Sequence, residues 1–320
     1  MGDDADAKEG PRITSSFWFV EEISQDLICK MKLMGITHDT QSEFQLVQVV
    51  ETKPFGKTLV LDGKTQSAQM DEFIYHESLV HPAMLLHPCP KKVYVGGGGE
   101  LATAREILRH RSVEKCIMVD LDKVVVDVSR TQLPEWGCGC TEDDRLVVHY
   151  SDAYAWLQDN EEKFDVIIMD IADPIEAGPG YILYTEEFYK FARSRLLPGG
   201  IIVTQSGPGS IHNHTDCFTV INKTLEKAFP TVIPYTVDIP SFGSSWGFNM
   251  GFLEPSKGQQ EIMQQPVKVT DKLIDERIKG ELCFLDGIAW PGLFSLAKWL
   301  RKTIKAEERI FTKDNPCFMW

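Results

Sequence analysis

Short apolar runs alternate with amphipathic stretches along most of the chain between Lys92 and Leu253. The apolar runs are short and rich in β-branched residues, as buried strands are, and the stretches between them repeat apolar residues at helical spacing. Strands that alternate with helices predict parallel neighbours joined by helical crossovers. The pattern therefore predicts an α/β fold with a doubly wound, mainly parallel, Rossmann-like sheet.

The chain before this core has a different pattern. From Phe17 to about Ser67, polar and apolar residues alternate in strand fashion, with turn residues at Pro54 to Gly56 and at Asp62-Gly63. This pattern predicts a small antiparallel sheet, and a helix is expected to begin at Asp71. The predicted organisation is a disordered acidic tail at 1–13, an N-terminal β-domain at 14–70, a Rossmann-like core at 71–255 and a C-terminal extension at 256–320. The extension is expected to pack on the core or on another subunit.

Polar residues follow the predicted core strands where these strands end. They are Gly96 to Glu100, Asp120 with Asp122, Asp152, Asp170 with Asp173, and Gln205. In open α/β sheets, ligands bind beyond the carboxyl ends of the strands, and an acid at the tip of the second strand accepts ribose hydroxyls. The sequence therefore predicts a nucleoside-binding site at this edge of the sheet.

The glycine run of this site ends in a carboxylate. Gly96 to Gly99 allow the backbone to approach a ligand without interference from Cβ atoms. Glu100 would repel a pyrophosphate or a free carboxylate held over the loop, and it would attract a cationic group. The sequence favours a ligand with a positively charged tail, and the alternative is that the glycines form only a structural turn.

The composition limits the class of partner. The chain has 320 residues and carries 47 Asp and Glu against 33 Lys and Arg, which gives a formal net charge of −14. This balance disfavours nucleic acids and anionic membranes and suits cationic partners. No apolar run approaches the roughly 20 residues of a membrane span, and the first residues do not form a signal peptide. We therefore expect a soluble cytoplasmic protein, with reduced thiols rather than a metal site at Cys138 and Cys140.

A set of motifs between about Trp18 and Leu253 resembles the polyamine aminopropyltransferases, the spermidine synthase family. The motifs are LVLDGKTQ, DEFIYHE, GGGGELATAREIL, DLDK, SDAYAWL, DVIIMDIADP and the Gln of VTQSG. The resemblance implies a core similar to the class I methyltransferases and transfer of an aminopropyl group from decarboxylated S-adenosylmethionine to a polyamine, leaving methylthioadenosine. This donor is a co-substrate, so no cofactor and no metal are expected. A homo-oligomer, either a dimer or a tetramer, is expected.

The resemblance also assigns the donor site. A donor that has lost its carboxylate presents only an ammonium, for which Glu100 is the natural partner. Asp120 matches the acid at the ribose, and Asp152 matches the acid at the adenine amine. The full set of expected donor contacts is Gln45, Gly97, Gly98, Glu100, Asp120, Leu121, Asp152, Ala153, Asp170 and Pro179. The family usually has small residues after the acid, so Leu101 departs from its pattern.

The chemistry is assigned to Asp170 as the base, with Tyr75 assisting it. A carboxylate within reach of an attacking amine can take its proton and orient its nitrogen. The expected acceptor contacts are Trp18, Gln66, Tyr75, His76, Glu100, Asp173, Gln205, Phe242 and Trp246, with His76 lining a polyamine channel. The structural alternatives are a packed helix residue for Tyr75, a capping acid for Asp170 and core positions for the three aromatic residues at 18, 242 and 246.

Two features bear on the acceptor. The segment DPIEAGPGYILYT has two more residues before Gly178-Pro179 than the usual D-P-x-G-P-A loop, and Phe242 stands where spermidine synthases carry a tyrosine. Both features resemble the plant-type thermospermine synthases, which extend spermidine at its aminopropyl end. We therefore expect spermidine as the acceptor and thermospermine as the product.

Other functions are weighed against this one. Synthesis of spermidine from putrescine and synthesis of spermine are the alternatives within the family. A class I methyltransferase would share the fold, but Glu100 disfavours it. A relative that only binds polyamines would lack the base, whereas Asp170, Tyr75 and Asp173 are all present.

Overall fold

The computed structural model describes residues 16–176 and 178–319, so the predicted tail at 1–13 lies outside the described residues. Its first five strands form one sheet in which each strand pairs antiparallel with the next, as the turn residues between them require. The strands are β1 (Trp18–Ser24), β2 (Leu27–Gln41), β3 (Leu46–Thr52), β4 (Gly56–Leu61) and β5 (Lys64–Ala68).

The second sheet has seven strands in the order β11-β12-β10-β9-β6-β7-β8. They are β6 (Lys92–Gly97), β7 (Lys115–Asp120), β8 (Leu146–Tyr150), β9 (Phe164–Asp170), β10 (Leu196–Pro208), β11 (Thr231–Ile239) and β12 (Ser244–Phe252). The first five are parallel, and β12 pairs antiparallel with β10 and β11. The predicted fold class is confirmed. Because the strand order reverses at β6 and β9, the crevice between their carboxyl ends is the expected ligand site.

Helices follow the core strands and cover both faces of the sheet. They are α1 (Glu72–Leu86), α2 (Ala102–Leu108), α3 (Lys123–Gln132), α4 (Pro134–Gly137), α5 (Ala153–Asp159), α6 (Glu186–Ser194), α7 (Phe218–Leu225), α8 (Gln259–Met263), α9 (Val267–Arg277), α10 (Trp290–Phe294) and α11 (Lys298–Ala306). The structure describes no helix that is long and apolar enough to cross a membrane.

Alternate residues of the core strands point to opposite faces of the sheet and fill two separate apolar clusters. In β6, Val93 and Val95 belong to one cluster and Tyr94 to the other, and all three are fully buried. This is the period of two that a strand imposes on its side chains. Burial on both faces explains why the core strands read as continuous apolar runs rather than as alternating ones.

The C-terminal extension packs on the core. Trp290 and Phe294 of α10 join the cluster that contains Val93, and Leu300 of α11 packs on Phe218 of α7. Farther along, the fully buried Phe311 joins the cluster that contains Tyr94. Of the two expectations for the extension, packing on the core is the one that the structure bears out.

Candidate active site

A cavity of about 450 Å³ lies between the N-terminal sheet and the carboxyl ends of the core strands. Most of the predicted site residues line it, which are Gln45, Gln66, Tyr75, Gly97, Gly98, Glu100, Asp120, Leu121, Asp152, Ala153, Asp170, Asp173, Gln205, Phe242 and Trp246. Pro179 begins a 3-10 turn at Pro179–Tyr184, and its side chain lies outside the described part of the structure. Residues far apart in the chain thus share one cavity.

The glycine loop is required by close approach of the backbone to Asp170. Gly97 has a φ of 82°, and a Cβ added to it would lie 2.1 Å from the carbonyl oxygen of Asp170. The N–H of Gly98 donates to that same oxygen at 2.9 Å. A side chain at Gly97 would therefore displace the end of β9. The loop is a structural turn and also lines the cavity, so the two interpretations of the glycine run do not exclude each other.

Leu101, the departure from the family pattern, has a left-handed backbone with a φ of 74°. Such a conformation is uncommon for a residue with a bulky side chain. Leu101 is buried and belongs to the same apolar cluster as Val93, and its carbonyl oxygen accepts from Arg105 in the first turn of α2. Packing of its side chain thus offsets the cost of its backbone conformation.

Two acids mark one end of the cavity, which we call the donor end. Asp120 ends β7, and its Oδ1 accepts from the N–H of Asp122 at 2.8 Å. Burial raises the pKa of Asp120 to about 6. Asp152 caps α5 by accepting from the N–H of Ala155 at 2.7 Å. Both acids are held by backbone N–H groups, and both line the cavity.

Gln45 brings the N-terminal sheet to the donor end. Its Nε2 donates to Oδ2 of Asp122 at 3.0 Å, and the hydroxyl of Ser42 donates to the same oxygen at 2.6 Å. The other oxygen of Asp122 caps α3 by accepting from the N–H of Val124 at 2.9 Å. Asp122 therefore connects the two sheets, and the side-chain oxygen Oε1 of Gln45 can accept a hydrogen bond from a ligand.

Asp170 ends β9 in the middle of the cavity. Tyr75 donates its hydroxyl hydrogen to Oδ1 at 2.6 Å, and Thr103 donates to Oδ2 at 2.5 Å. Burial and the neighbouring charge of Glu100 raise the pKa of Asp170 against the effect of these hydrogen bonds. Burial and Asp170 also raise the pKa of Tyr75 well above its usual value, so Tyr75 keeps its proton. The arrangement presents a buried carboxylate whose basicity is higher than usual.

The expectation that His76 lines a polyamine channel is not met, since His76 is fully buried on α1 and is absent from the cavity wall. Its Nε2 lies 2.5 Å from Oε1 of Glu100, and its Nδ1 lies 2.7 Å from Oε2 of Glu72. Burial lowers the pKa of His76, but the two carboxylates outweigh burial and raise it to about 10. His76 is therefore an imidazolium that donates to both acids and fixes the direction of Glu100.

Glu72 and Arg105 extend this chain of buried charges. Both guanidinium NH groups of Arg105 donate to Glu72, each at 2.9 Å. The ligand atoms of His76, Glu100 and Asp170 lie within 4.8 Å of one another. These three residues could hold a metal ion only if His76 gave up its bond to Glu100, because both ring nitrogens of His76 are already engaged.

The opposite end of the cavity, which we call the acceptor end, is built around Asp173. Gln205 of β10 donates from Nε2 to Oδ1 of Asp173 at 3.1 Å and accepts from Nε1 of Trp246 at 3.2 Å. Burial raises the pKa of Asp173 to about 6, against the hydrogen bond from Gln205. Gln205 thus connects an acid that can bind an ammonium to an aromatic wall.

The aromatic residues at this end differ in their surroundings. The rings of Phe242 and Trp246 meet edge to face with centroids 4.7 Å apart, and Phe242 also contacts the ring of Tyr75 at 5.9 Å. Trp18 does not line the cavity. It lies at the start of β1 with 53% of its surface exposed, because β1 is the outer strand of its sheet. The acceptor contact expected of Trp18 therefore stays a prediction.

The comparisons with known proteins decide the identity. Residues 17–69 match the spermidine synthase tetramerisation domain, and residues 72–258 match the spermine/spermidine synthase domain. The chain is 41% identical over 304 residues to thermospermine synthase ACAULIS5 of Arabidopsis thaliana, which covers 94% of this chain and 87% of that protein. It is also 41% identical over 303 residues to the polyamine aminopropyltransferase of Aeropyrum pernix, with 94% and 95% covered.

This chain belongs to the spermidine synthase family. A crystal structure of spermidine synthase in complex with the transition-state analogue AdoDATO superposes with a TM-score of 0.82 at 28% identity. That of spermidine synthase from Thermotoga maritima superposes with a TM-score of 0.80 at 27% identity. Each covers 93% of this chain and 97% of the other. The expected family is thus confirmed, and the chain is a polyamine aminopropyltransferase.

Sequence reasoning missed several residues that shape the site of this aminopropyltransferase. Glu21 of β1 lines the cavity, and the hydroxyl of Thr65 donates to its Oε2 at 2.6 Å. Burial raises the pKa of Glu21. Thr103 and Ser67 donate to the acids of the core, Asp170 and Glu100. Glu21 could have been predicted from the position of an acid in an apolar strand. Thr103 and Ser67 could not, because short hydroxyl side chains occur throughout a sequence without a distinctive pattern.

Proposed function

We propose that this aminopropyltransferase moves the aminopropyl group of decarboxylated S-adenosylmethionine onto spermidine, giving thermospermine and methylthioadenosine, with Asp170 as the base. The observation that carries the proposal is the position of Asp170 in the cavity. It lies between the donor end, marked by Asp120 and Asp152, and the acceptor end, marked by Asp173.

The base is needed because alkyl ammonium groups are not nucleophiles. With a pKa near the 10.4 of lysine, an amine at pH 7 is deprotonated at a cost of roughly 4 to 5 kcal/mol. Asp170 can accept a proton from the attacking nitrogen because its own pKa is raised by burial and by Glu100. Tyr75 and Thr103 hold both oxygens of Asp170 and thereby fix the direction from which the nitrogen approaches.

The transfer then balances without any further reagent. The lone pair of the acceptor nitrogen forms a bond to the propyl carbon next to the sulfonium. The carbon–sulfur bond breaks with its electron pair going to sulfur, which leaves as the neutral thioether of methylthioadenosine. One proton of the nitrogen passes to Asp170 and from there to solvent. Because the leaving group is neutral, the reaction has no oxyanion to stabilise.

Glu100 is proposed to hold the ammonium of the aminopropyl tail. Its Oε1 already accepts from His76 and its Oε2 from Ser67, so its carboxylate is fixed before a donor arrives. Each oxygen keeps another lone pair for a donor ammonium. A carboxylate in this position repels the carboxylate of intact S-adenosylmethionine, which supports selection of the decarboxylated donor.

Spermidine is favoured as the acceptor by the number of acids in the cavity wall. Asp170, Asp173 and Glu21 all line the cavity and offer a carboxylate for each of three ammoniums. Phe242 presents no hydroxyl that would hold the far amine of a short diamine at this wall. The relative named thermospermine synthase supports the same acceptor, whereas the relatives named polyamine aminopropyltransferase leave the acceptor open.

The deciding experiment gives the purified protein decarboxylated S-adenosylmethionine with either putrescine or spermidine. Products are separated by chromatography that resolves spermine from thermospermine. We expect rapid use of spermidine and a product that co-elutes with thermospermine. Preferential use of putrescine, or a product that co-elutes with spermine, would reject this acceptor and leave the aminopropyl transfer intact.

We also propose that the protein is a homo-oligomer assembled through β1 and β2. β1 is the edge strand of the N-terminal sheet and β2 pairs with it. The segment 17–36, which contains both, exposes large apolar side chains, which are Phe17, Trp18, Val20, Leu27, Ile28, Met34 and Ile36. The match of residues 17–69 to a tetramerisation domain supports this role. Light scattering should give a mass of two or four chains, and Ile28→Lys with Ile36→Lys should lower it. A cytoplasmic location and independence from cofactors and metals remain predictions from the sequence.

A further inference from the structure

The segment after α11 runs back along the core to the cavity. Its start is fixed by Glu307, whose Oε2 accepts from the hydroxyl of Thr219 at 2.7 Å. Its middle is fixed by Phe311, which is fully buried and whose N–H donates to the hydroxyl of Thr224 at 2.9 Å. The N–H of Glu186 donates to the carbonyl oxygen of Phe311 at 2.8 Å. These contacts place residues 307–311 firmly on α6 and α7.

The far end of this segment reaches the loop that follows β9. The ring of Phe318 meets the ring of Tyr181 edge to face, with centroids 5.7 Å apart. The N–H of Met319 donates to the carbonyl oxygen of Pro174 at 2.7 Å. Pro174 directly follows Asp173, so this hydrogen bond joins the segment to the acid of the acceptor end.

Met319 itself lines the cavity. Its Sδ lies 3.7 Å from the point that a Cβ on Gly207 would occupy, and Oδ1 of Asp173 lies 3.6 Å from the same point. The thioether and the carboxylate therefore flank Gly207 together. Met319 therefore places an apolar side chain beside Asp173 in the cavity wall.

We infer that Met319 is a specificity-determining residue, which packs on the methylenes of the acceptor beside the ammonium held by Asp173. This inference rests on the proposed function and extends it. A polyamine offers only charges separated by methylenes, so its length is read by carboxylates and apolar surfaces in alternation. The flexible methionine side chain suits a methylene chain. The C-terminal extension would then serve acceptor choice as well as packing.

The test uses the full chain with Met319→Lys, Met319→Ala and Phe318→Ala. A lysine beside Asp173 repels the acceptor ammonium, so Met319→Lys should raise the KM for spermidine by at least about 20-fold. Met319→Ala should raise it about tenfold, since a contact with one methylene is worth about tenfold or more in a well-fitted pocket. Phe318→Ala, which removes the contact with Tyr181, should act in the same direction and less strongly. The KM for decarboxylated S-adenosylmethionine should stay within about twofold.

Met263→Ala is the matched control, because Met263 ends α8, packs on the core and does not line the cavity. It should leave the KM for spermidine unchanged, and thermal unfolding of each variant reports whether it folds. If Met319→Lys and Met319→Ala folded and kept the KM of the wild type for spermidine, Met319 would not contact the acceptor.

Failure of the inference is distinguishable from failure of the proposed function. If the wild type prefers putrescine over spermidine, spermidine is rejected as the acceptor. The same variants are then measured with putrescine. If the wild type uses spermidine and the Met319 variants have the same KM for spermidine as Met263→Ala, only the role of Met319 is rejected. Binding of spermidine in the presence of methylthioadenosine, measured by calorimetry, gives a second readout that does not depend on turnover.

Discussion

The two ends of the cavity are built in different ways. At the donor end, Asp120 and Asp152 lie at strand ends and are held by backbone N–H groups within a few residues of their own positions. At the acceptor end, Asp173 lies in an irregular loop and is held by Gln205 of β10. Glu21 of the N-terminal sheet and Met319 of the C-terminal extension complete that end.

This difference has a consequence for specificity. A donor site that follows from strand ends and helix caps is preserved as long as the fold is preserved. An acceptor site assembled from several distant segments can change through single substitutions that leave the fold intact. We therefore expect substitutions at the donor end to change whether the donor binds, and those at the acceptor end to change which polyamine is used.

The largest expected effect lies between the two ends, at Asp170. Asp170→Asn removes the proton acceptor while leaving Asp120 and Asp152 in place, so kcat should fall at least about 100-fold with little change in donor affinity. Single-turnover kinetics and calorimetry with the donor measure the two quantities. Asp159→Asn, at the exposed end of α5, is the control. Near-normal turnover of Asp170→Asn would remove Asp170 from the mechanism.

A smaller effect is expected for Glu100, the charge that we propose faces the donor tail. Glu100→Gln removes a charge-assisted hydrogen bond of about 1.5 to 3 kcal/mol, so affinity for decarboxylated S-adenosylmethionine should fall roughly 10- to 100-fold. Affinity for intact S-adenosylmethionine should rise or stay constant, which narrows the preference between the two donors. An unchanged preference in calorimetry would show that Glu100 does not face the tail.

At the acceptor end, Asp173 gives a dependence on pH. Burial raises its pKa to about 6, so the charge of the carboxylate that we propose binds an ammonium is lost as the pH falls below 6. With saturating donor, kcat/KM for spermidine should therefore fall on the acid side. Asp173→Asn should raise the KM for spermidine about tenfold and weaken this acid limb. If the variant kept the acid limb of the wild type, another group would control it.

Substitution of Glu72 tests whether the charge on His76, which positions Glu100, matters for activity. Glu72→Gln removes one of the two carboxylates that keep His76 charged at a pKa of about 10. The pKa of His76 should fall, and activity should be lost at a lower alkaline pH than in the wild type, with about a threefold loss of kcat at neutral pH. The pH–rate profile and the NMR signal of the His76 ring N–H measure this change. An alkaline limb at the wild-type position would contradict the role of Glu72.

An effect as small as that of Glu72→Gln is expected at Phe242. Phe242→Tyr adds a hydroxyl to the wall next to Tyr75 and supplies a partner for the far amine of a short diamine. The ratio of kcat/KM for putrescine to that for spermidine should rise about threefold, with donor affinity unchanged. Competition between the two acceptors in one reaction, followed by chromatography, resolves a change of this size. A fall in the ratio of kcat/KM for putrescine to that for spermidine would show that a hydroxyl at position 242 disfavours the short diamine.

Much of the donor end was predictable from the sequence. Asp120, Asp152 and Asp170 follow apolar runs, and parallel strands bring their carboxyl ends to the same edge of a sheet. The acceptor end was only partly predictable, since Glu21 and Met319 reach it from outside the core. His76 shows the limit most clearly. Its motif placed it near the site. Whether its side chain faced the cavity or stood behind the cavity wall depended on the rotation of α1 about its axis and on the hydrogen bond to Glu72.

The sequence by itself determined the fold class, the edge of the sheet that carries the cavity and the negative charge at Glu100, because each depends on local periodicity and residue type. Only the tertiary structure decided which side chains share the cavity wall and which stand behind it. Burial, the distance between Glu100 and Asp170, and the docking of residues 318 and 319 on the loop after β9 depend on contacts between segments far apart in the chain. Local sequence patterns do not encode those contacts. The residue types at the site were therefore predictable from the sequence, whereas the residues that form the wall of the acceptor end were not.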